Sequence, residues 1–264
     1  MRNNRTQEMI VYAMFIAILA ILSFTPLGYF SLGGVSITLV HIVVLIAAFL
    51  LGLKGGIIIG LLFGIFSMLR AWVAPNAIAD YIFRNPLVSV LPRVLFGLLA
   101  GAFAELLKKV SPKNALYIAS GSIGVVVVGL AIIYFTSSKN TLILQYVVPI
   151  AAIVLLIGAI LLIVFANKTK GKSIDQVAMA GLCGVSTFVH TAMVLPLMFY
   201  FGMSNPDTAV AFGDLTFGAL FGGTLAANGI VEIVLAVIIV PVVVFALRKV
   251  YHPIKKEKGE VHAS

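Results

Sequence analysis

A few polar side chains interrupt long apolar runs of this sequence, at positions where they could bind or react. Arg93 lies within NPLVSVLPRVLFGLLAG, His190 within STFVHTAMVLP, and Asn228 and Glu232 within NGIVEIVLAV. Asn228 and Glu232 are four residues apart, and Thr187 precedes His190 by three, so each pair shares a helical face. An arginine inside a membrane costs about 2.5–3.5 kcal/mol on insertion scales, which marks Arg93 as a candidate functional residue.

These side chains predict the polar wall of a binding site that opens to the outer side. Arg93 offers a forked set of donors that suits a carboxylate or a ring carbonyl. Glu232, Asn228 and His190 suit hydroxyl, amide or ring-nitrogen groups. The alternative is structural: Arg93 and Glu232 pair with each other and only fix the bundle, although a buried ion pair brings little net stability. Further wall or lid candidates are Trp72, Asn76, Tyr81 and Asn85.

Catalytic patterns are missing from the sequence. KTKGKSID contains Gly-Lys-Ser without the upstream glycine of a phosphate-binding loop, and neither G-x-S-x-G nor H-E-x-x-H occurs. His41, interpreted as structural or interfacial, and His190 lie in different spans without a carboxylate pair. We therefore expect no metal, no cofactor and no enzymatic activity. Two alternatives stay open, an intramembrane enzyme and a stand-alone proton-coupled transporter, both using His190 and Glu232.

The elements that must position these residues are membrane spans. The chain of 264 residues is 61% hydrophobic and 10% charged, whereas soluble domains carry about 25% charged residues. Apolar runs of about 16–25 residues predict an all-α, polytopic membrane helix bundle with eight spans. Six core spans are predicted at about 9–24, 37–53, 57–74, 87–107, 177–201 and 225–247. A strongly apolar two-helix hairpin at 115–166 is predicted to lie at the periphery of the bundle. The whole chain is predicted to form a single membrane domain.

The positive charges predict the orientation. Fourteen of the eighteen Lys and Arg residues lie at the two ends of the chain or in alternate connections, including a basic tail over residues 248–264. By the positive-inside rule, both termini lie in the cytoplasm. Topology therefore accounts for the net charge of +9 without a nucleic-acid partner. The chain is expected to be a multi-pass protein of a bacterial cytoplasmic membrane.

The turn GLKGG is predicted to join the second and third spans as a tight inner hairpin. The connections on the opposite, outer side are longer and hold Tyr, Phe, Asn, Asp and Pro. Such loops are predicted to close over a small molecule. No inverted repeat is evident, which points to a subunit of a larger transporter.

Several segments together resemble the substrate-binding S components of energy-coupling factor (ECF) vitamin transporters. They are ITLVHIVVLIAAFLLGLKGGIIIGLLFGIFSMLRAW, NPLVSVLPRVLFGLLAG, GVSTFVHTAMVLPLMFYFG and NGIVEIVLAVIIVPVVVFAL. The resemblance implies a six-helix core that binds a water-soluble vitamin, working with a membrane coupling subunit (T component) and two cytoplasmic ATPases. It also implies that a small-residue stripe on the first helix docks on the coupling subunit, here Ala13, Ala17 and Ala20. The hairpin at 115–166 departs from the six-helix pattern.

The segments HIVVLI, NPLVSVLPR and NGIVE look most like the branch that contains pantothenate transporters. Arg93 suits the carboxylate of pantothenate. Because it suits a folate tail or a flavin carbonyl equally well, riboflavin, folate and pyridoxine remain alternative ligands.

Overall fold

The structure is a computed structural model that describes residues 4–32, 35–75, 77–136, 172–210 and 228–260, with isolated positions between 149 and 164. Two strands, β1 (Tyr29–Leu32) and β2 (Val35–Thr38), follow the first helix. The helices are α1 (Asn4–Phe24), α2 (Val40–Leu51), α3 (Leu53–Val73), α4 (Pro86–Ser89), α5 (Leu91–Lys109), α6 (Pro112–Thr136), α7 (Lys172–Met203), α8 (Pro206–Ala209) and α9 (Ile230–Glu260). Short 3-10 turns occupy Pro26–Gly28 and Ile78–Arg84.

Within the described ranges, five helices are long and apolar enough to cross a membrane. They lie within α1, α3, α4 together with α5, α7 and α9. The prediction of a polytopic membrane helix bundle is confirmed at this level. The second helix of the hairpin predicted at 115–166 lies largely outside the described residues, so the count of eight spans and the position of both termini stay predictions.

The second span differs from its prediction at 37–53. Ile37 and Thr38 belong to strand β2, and helix α2 begins only at Val40. The sequence V-S-I-T is rich in β-branched residues, and Gly33-Gly34, outside the described residues, precede it; both features favour a hairpin. Leu32 pairs with Val35 and Tyr29 with Thr38 in an antiparallel β-hairpin, which was not predicted from the sequence. The fold is therefore an α-bundle with one small sheet and not purely helical.

Helix α2 occupies the centre of the bundle. Every residue from Val40 to Phe49 is buried, as expected for a helix that is apolar on all sides. Helix α1 packs Phe15 and Leu19 into the same core, and Phe96 and Cys183 reach it from α5 and α7. Any side chain that α2 directs inward is thus enclosed by protein.

Gly52 alone joins α2 to α3. Its φ of +80° is a conformation that side-chain-bearing residues rarely adopt. The tight turn predicted from GLKGG is confirmed, and α2 and α3 pack against each other.

Helix α9 is bonded to the end of β2, just before α2, and to the last turn of α2. Near the start of α9, Glu232 Oε1 accepts a hydrogen bond from the Thr38 backbone N–H at 2.9 Å, just before α2 begins. Sixteen residues later, Arg248 Nη2 donates to the Phe49 carbonyl oxygen at 2.9 Å, in the last turn of α2. The last carbonyls of a helix have no intrahelical partner, so Arg248 satisfies a group that would otherwise lie unpaired.

Helix α6 lies at the side of the bundle and packs on α7. Ala115 and Ala119 are buried against Val177 and Ala178, whereas Tyr117 and Phe135 are largely exposed. The first helix of the predicted peripheral hairpin therefore presents one apolar face outward.

Candidate binding site

Arg93 lies in the first turn of α5 and is only 6% exposed. Its Nη1 donates to the Val88 carbonyl oxygen at 2.5 Å. Its guanidinium carbon lies 5.5 Å from the centroid of the Phe63 ring and 5.0 Å from that of Phe83, which is within cation–π range. Its Nε is buried and has no partner in the described structure. The guanidinium therefore retains a donor for a further acceptor.

Glycines set the backbone position of Arg93. Gly56 and Gly60 of α3 face Gly97 of α5, and Gly64 of α3 faces Ser89 and Val90 at the junction of α4 with α5. A Cβ on Gly60 would lie 2.6 Å from the Arg93 carbonyl oxygen, and one on Gly56 would overlap the Gly97 carbonyl. Small residues every fourth position let two helices approach to backbone contact. This close crossing holds the start of α5 against α3.

Glu232 does not form an ion pair with Arg93. The carboxylate is 7% exposed and accepts its hydrogen bond from Thr38 instead. The two charged groups are still close enough to interact electrostatically. Arg93 and Glu232 thus lie at the same end of the bundle without the direct pairing that the structural alternative required.

The base of the hairpin is held from two sides. Thr38 is bound by Glu232, and its cross-strand partner Tyr29 has the Arg70 guanidinium 3.8 Å from its ring centroid. Burial raises the pKa of the Tyr29 hydroxyl above its usual value, and the charges of Arg70 and Arg93 oppose that rise. Helices α3 and α9 therefore both fix where the hairpin leaves the bundle.

His190 lies in the interior of α7. Its ring stacks at 4.7 Å on Phe96 and lies 6.1 Å from Phe63, the ring that also faces Arg93. Neither ring nitrogen has a hydrogen-bond partner in the described structure. Thr187 is buried nearby, but its hydroxyl donates within α7 to the Cys183 carbonyl at 3.0 Å. His190 keeps its hydrogen-bonding capacity, whereas the Thr187 proton is already used.

The two predicted asparagines with described positions lie at helix starts. Asn85 is the N-cap of α4, and its side-chain oxygen accepts from the Leu87 N–H at 2.9 Å. Asn228 is half-buried in a wide turn just before α9, one helical turn from Glu232. Asn76 lies outside the described residues.

Trp72 and Tyr81 surround a different arginine. The Arg84 guanidinium lies 4.4 Å from the Trp72 ring centroid and 4.2 Å from that of Tyr81. Its Nε donates to the Ala71 carbonyl at 3.0 Å. Trp72 is 59% exposed. The structure therefore places these two aromatic residues in a surface cluster, apart from the Phe63 and Phe83 rings that face Arg93.

The predicted docking stripe lies on the outside of α1. Ala13 and Ala17 are exposed and Ala20 is half-buried, while Phe15 and Leu19 on the other face enter the core. The described residues hold no group of three or more His, Cys, Asp or Glu side chains that could bind a metal ion.

Several residues at this end were not selected from the sequence as site residues. Thr38 contributes only a backbone N–H, which leaves no mark in the sequence. The spacing Gly56, Gly60, Gly64 is a recognisable small-residue pattern and could have indicated the crossing of α3 with α5. Arg70 lies in the last turn of α3, where its spacing alone does not reveal the contact with Tyr29.

Comparisons with known proteins identify the family of this chain. The model of the family described as "ECF transporter, substrate-specific component" matches residues 7–166, which includes the predicted hairpin at 115–166. Over 106 residues the chain is 37% identical to the pantothenate transporter PanT of Leuconostoc mesenteroides subsp. mesenteroides. That alignment covers 38% of this chain and 52% of the relative, so the chain spans about half the length of the relative it matches. Because the family model covers more than half of the chain, this protein belongs to the substrate-specific components of ECF transporters.

Proposed function

We propose that this protein captures pantothenate at the outer face of a bacterial cytoplasmic membrane, for ATP-driven uptake by partner subunits. The observation that carries the proposal is the buried Arg93 guanidinium, which has a free Nε donor and lies against two aromatic rings. A charge-assisted bond from a guanidinium suits the carboxylate of pantothenate. The similarity to a pantothenate transporter supports this ligand.

In this proposal, both termini are cytoplasmic and the hairpin end of the bundle faces outward. The ligand lies between Arg93, His190, Asn228 and Glu232. Asn85 and Thr187 belong to the wall, and Trp72 and Tyr81 belong to the neighbouring outer surface. Asn76, outside the described residues, stays a predicted wall or lid residue. Closure of outer segments over the ligand excludes water and strengthens its polar contacts.

Binding by purified protein tests the role of Arg93. In the Arg93→Met variant, pantothenate affinity should fall about 10-fold to 100-fold, because a hydrogen bond to a charged group contributes roughly 1.5–3 kcal/mol. In pantothenol an alcohol replaces the carboxylate, so the Arg93→Met substitution should reduce the affinity for pantothenol much less than the affinity for pantothenate. Arg84→Met is the matched control, since Arg84 lies between exposed aromatic rings. Equal losses in both variants would contradict a specific role for Arg93.

Native mass spectrometry of protein purified without added ligand would identify the cargo directly. A co-purified mass of riboflavin, folate or pyridoxine would replace pantothenate and keep the rest of the proposal.

The partners in this proposal are a membrane coupling subunit and two cytoplasmic ATPases. Ala13 and Ala17, exposed on α1, would let a partner helix approach closely. The Ala13→Trp, Ala17→Trp variant should bind ligand normally and fail to assemble with the other subunits. Leu61→Trp on the exposed side of α3 is a control. Uptake by vesicles containing this protein alone would instead favour a stand-alone transporter.

A further inference from the structure

Two histidines lie inside the bundle without a hydrogen-bond partner for any ring nitrogen. His41 of α2 is 1% exposed and His190 of α7 is 8% exposed. A neutral imidazole has one donor and one acceptor, so the pair carries four unused hydrogen-bonding positions. Buried polar groups are nearly always paired, and leaving them unpaired destabilises a fold. Two such rings in one bundle indicate that something outside the polypeptide bonds to them.

These rings belong to one cluster with Arg93. Phe63 faces both His190 and Arg93. Its ring centroid lies 6.1 Å from that of His190 and 5.5 Å from the guanidinium carbon of Arg93. His41 lies in the first turn of α2, three residues after Thr38, whose backbone N–H is bound by Glu232. The His41 ring lies near the backbones of Thr38 and Glu232 without reaching hydrogen-bond geometry. Helices α2, α5 and α7 thus bring three incompletely bonded side chains together beneath the hairpin.

Other buried polar side chains of α7 are satisfied locally. The hydroxyls of Ser186, Thr187 and Thr191 each donate to a carbonyl one turn earlier in the helix. Among described residues, Ser23 Oγ is the one further buried side-chain atom without a partner. Unpaired polar atoms are therefore concentrated on His41, His190 and Arg93 and are not spread through the core.

We propose that His41 and His190 together hydrogen-bond the uncharged hydroxyl or amide groups of the ligand, while Arg93 binds its carboxylate. This inference rests on the proposed function and adds His41 to the site. Neutral imidazoles among aromatic rings can both donate to and accept from a hydroxyl or an amide without a charge of their own. Pantothenate carries two hydroxyls at one end, an amide in its middle and a carboxylate at the other end, so one molecule offers an acceptor for Arg93 and uncharged groups for the histidines.

Calorimetric titration of purified protein tests the assignment. His41→Leu should weaken pantothenate binding about 10-fold to 100-fold. It should also raise the unfolding midpoint of the ligand-free protein, because leucine removes two unpaired buried atoms. A histidine that only supports the fold would lower that midpoint. His41→Gln keeps a neutral donor and acceptor and should retain most of the affinity, which guards against a folding defect. Ser186→Ala, which removes a buried hydroxyl already bonded within α7, should change neither quantity markedly.

A ligand analogue completes the test. An analogue of pantothenate with both hydroxyls replaced by hydrogen should bind wild-type protein about 10-fold to 100-fold more weakly than pantothenate. The affinity of this analogue should fall little further in the His41→Leu variant, because the hydroxyls that would bond to His41 are already absent from the analogue. Equal analogue penalties in wild type and variant, or unchanged affinity of His41→Leu, would overturn the histidine assignment alone. Wild-type protein that binds none of pantothenate, riboflavin, folate and pyridoxine would overturn the proposed function and this inference with it.

Discussion

The Gly60→Ala substitution tests whether the crossing of α3 with α5 positions the binding site. The added Cβ would lie 2.6 Å from the Arg93 carbonyl oxygen and 3.2 Å from the Gly97 Cα. Ordinary contacts between such atoms lie near 3.5 Å, so the helices must separate by roughly 1 Å. Both neighbouring atoms belong to the backbone, and no change of rotamer relieves the overlap.

The magnitude follows from two opposing effects. Overpacking of this kind costs about 1–3 kcal/mol, whereas alanine gains up to about 1 kcal/mol over glycine in helix propensity. We expect a net loss of up to about 2 kcal/mol in the free energy of unfolding. Ligand affinity should fall by at least about tenfold, because binding groups must be held within roughly 0.5 Å of their productive position.

Gly124→Ala is the matched control. Gly124 lies on α6, and a Cβ there would meet nothing within 4 Å. The same chemical change should leave affinity unaltered and should not lower stability. Thermal unfolding in detergent followed by circular dichroism, with calorimetric titration of pantothenate, measures both quantities. Indistinguishable behaviour of Gly60→Ala and Gly124→Ala would refute the argument that this crossing holds Arg93 in place.

Two further predictions concern the hydrogen bonds of α9 to Thr38 and to α2. Glu232→Gln keeps an oxygen that can accept from the Thr38 N–H, so this variant should unfold near the wild-type midpoint. Glu232→Ala leaves that donor unpaired and should lower the free energy of unfolding by about 1–3 kcal/mol. Equal midpoints for the two variants would exclude the bond as a stabilising contact. Arg248→Met removes the donor to the Phe49 carbonyl and should lower the free energy of unfolding by about 1–3 kcal/mol, with ligand affinity at the opposite end unchanged. Lys249→Met, which alters a neighbouring exposed cation, should have little effect on the same urea or thermal unfolding curve.

The polar interruptions of the apolar runs were predictable because their cost is visible in the sequence. Arg93, His190 and Glu232 are all buried in the structure, and Arg93 shares the Phe63 ring with His190. The expense of placing such groups in hydrocarbon marks them whatever the details of packing.

Other features leave a weaker mark. The run from Ile37 to Leu51 is apolar except for Thr38 and His41, and periodicity does not separate a buried strand from a buried helix in such a run. The start of α2 was therefore placed too early. Trp72 and Tyr81 are predicted as wall or lid residues because they lie beside or within a long outer connection, but their contact with Arg84 depends on the path of the 3-10 turn Ile78–Arg84. His41 was interpreted as structural or interfacial; the structure buries it completely, and no sequence pattern reports whether its nitrogens are paired.

The shortness of α2 has a consequence for how deep the proposed binding site lies in the membrane. Twelve residues rise about 18 Å, whereas the hydrocarbon layer is about 30 Å thick. If α2 runs along the membrane normal with Gly52 at one boundary of the hydrocarbon layer, its other end at Val40 lies about 12 Å short of the opposite headgroups. Lipid tails offer no hydrogen bonds to the exposed main chain beyond that point, so surrounding helices must shield it. In the proposed function, a solute bound above Val40 therefore lies below the outer headgroups, and less than two thirds of the hydrocarbon layer remains to be crossed.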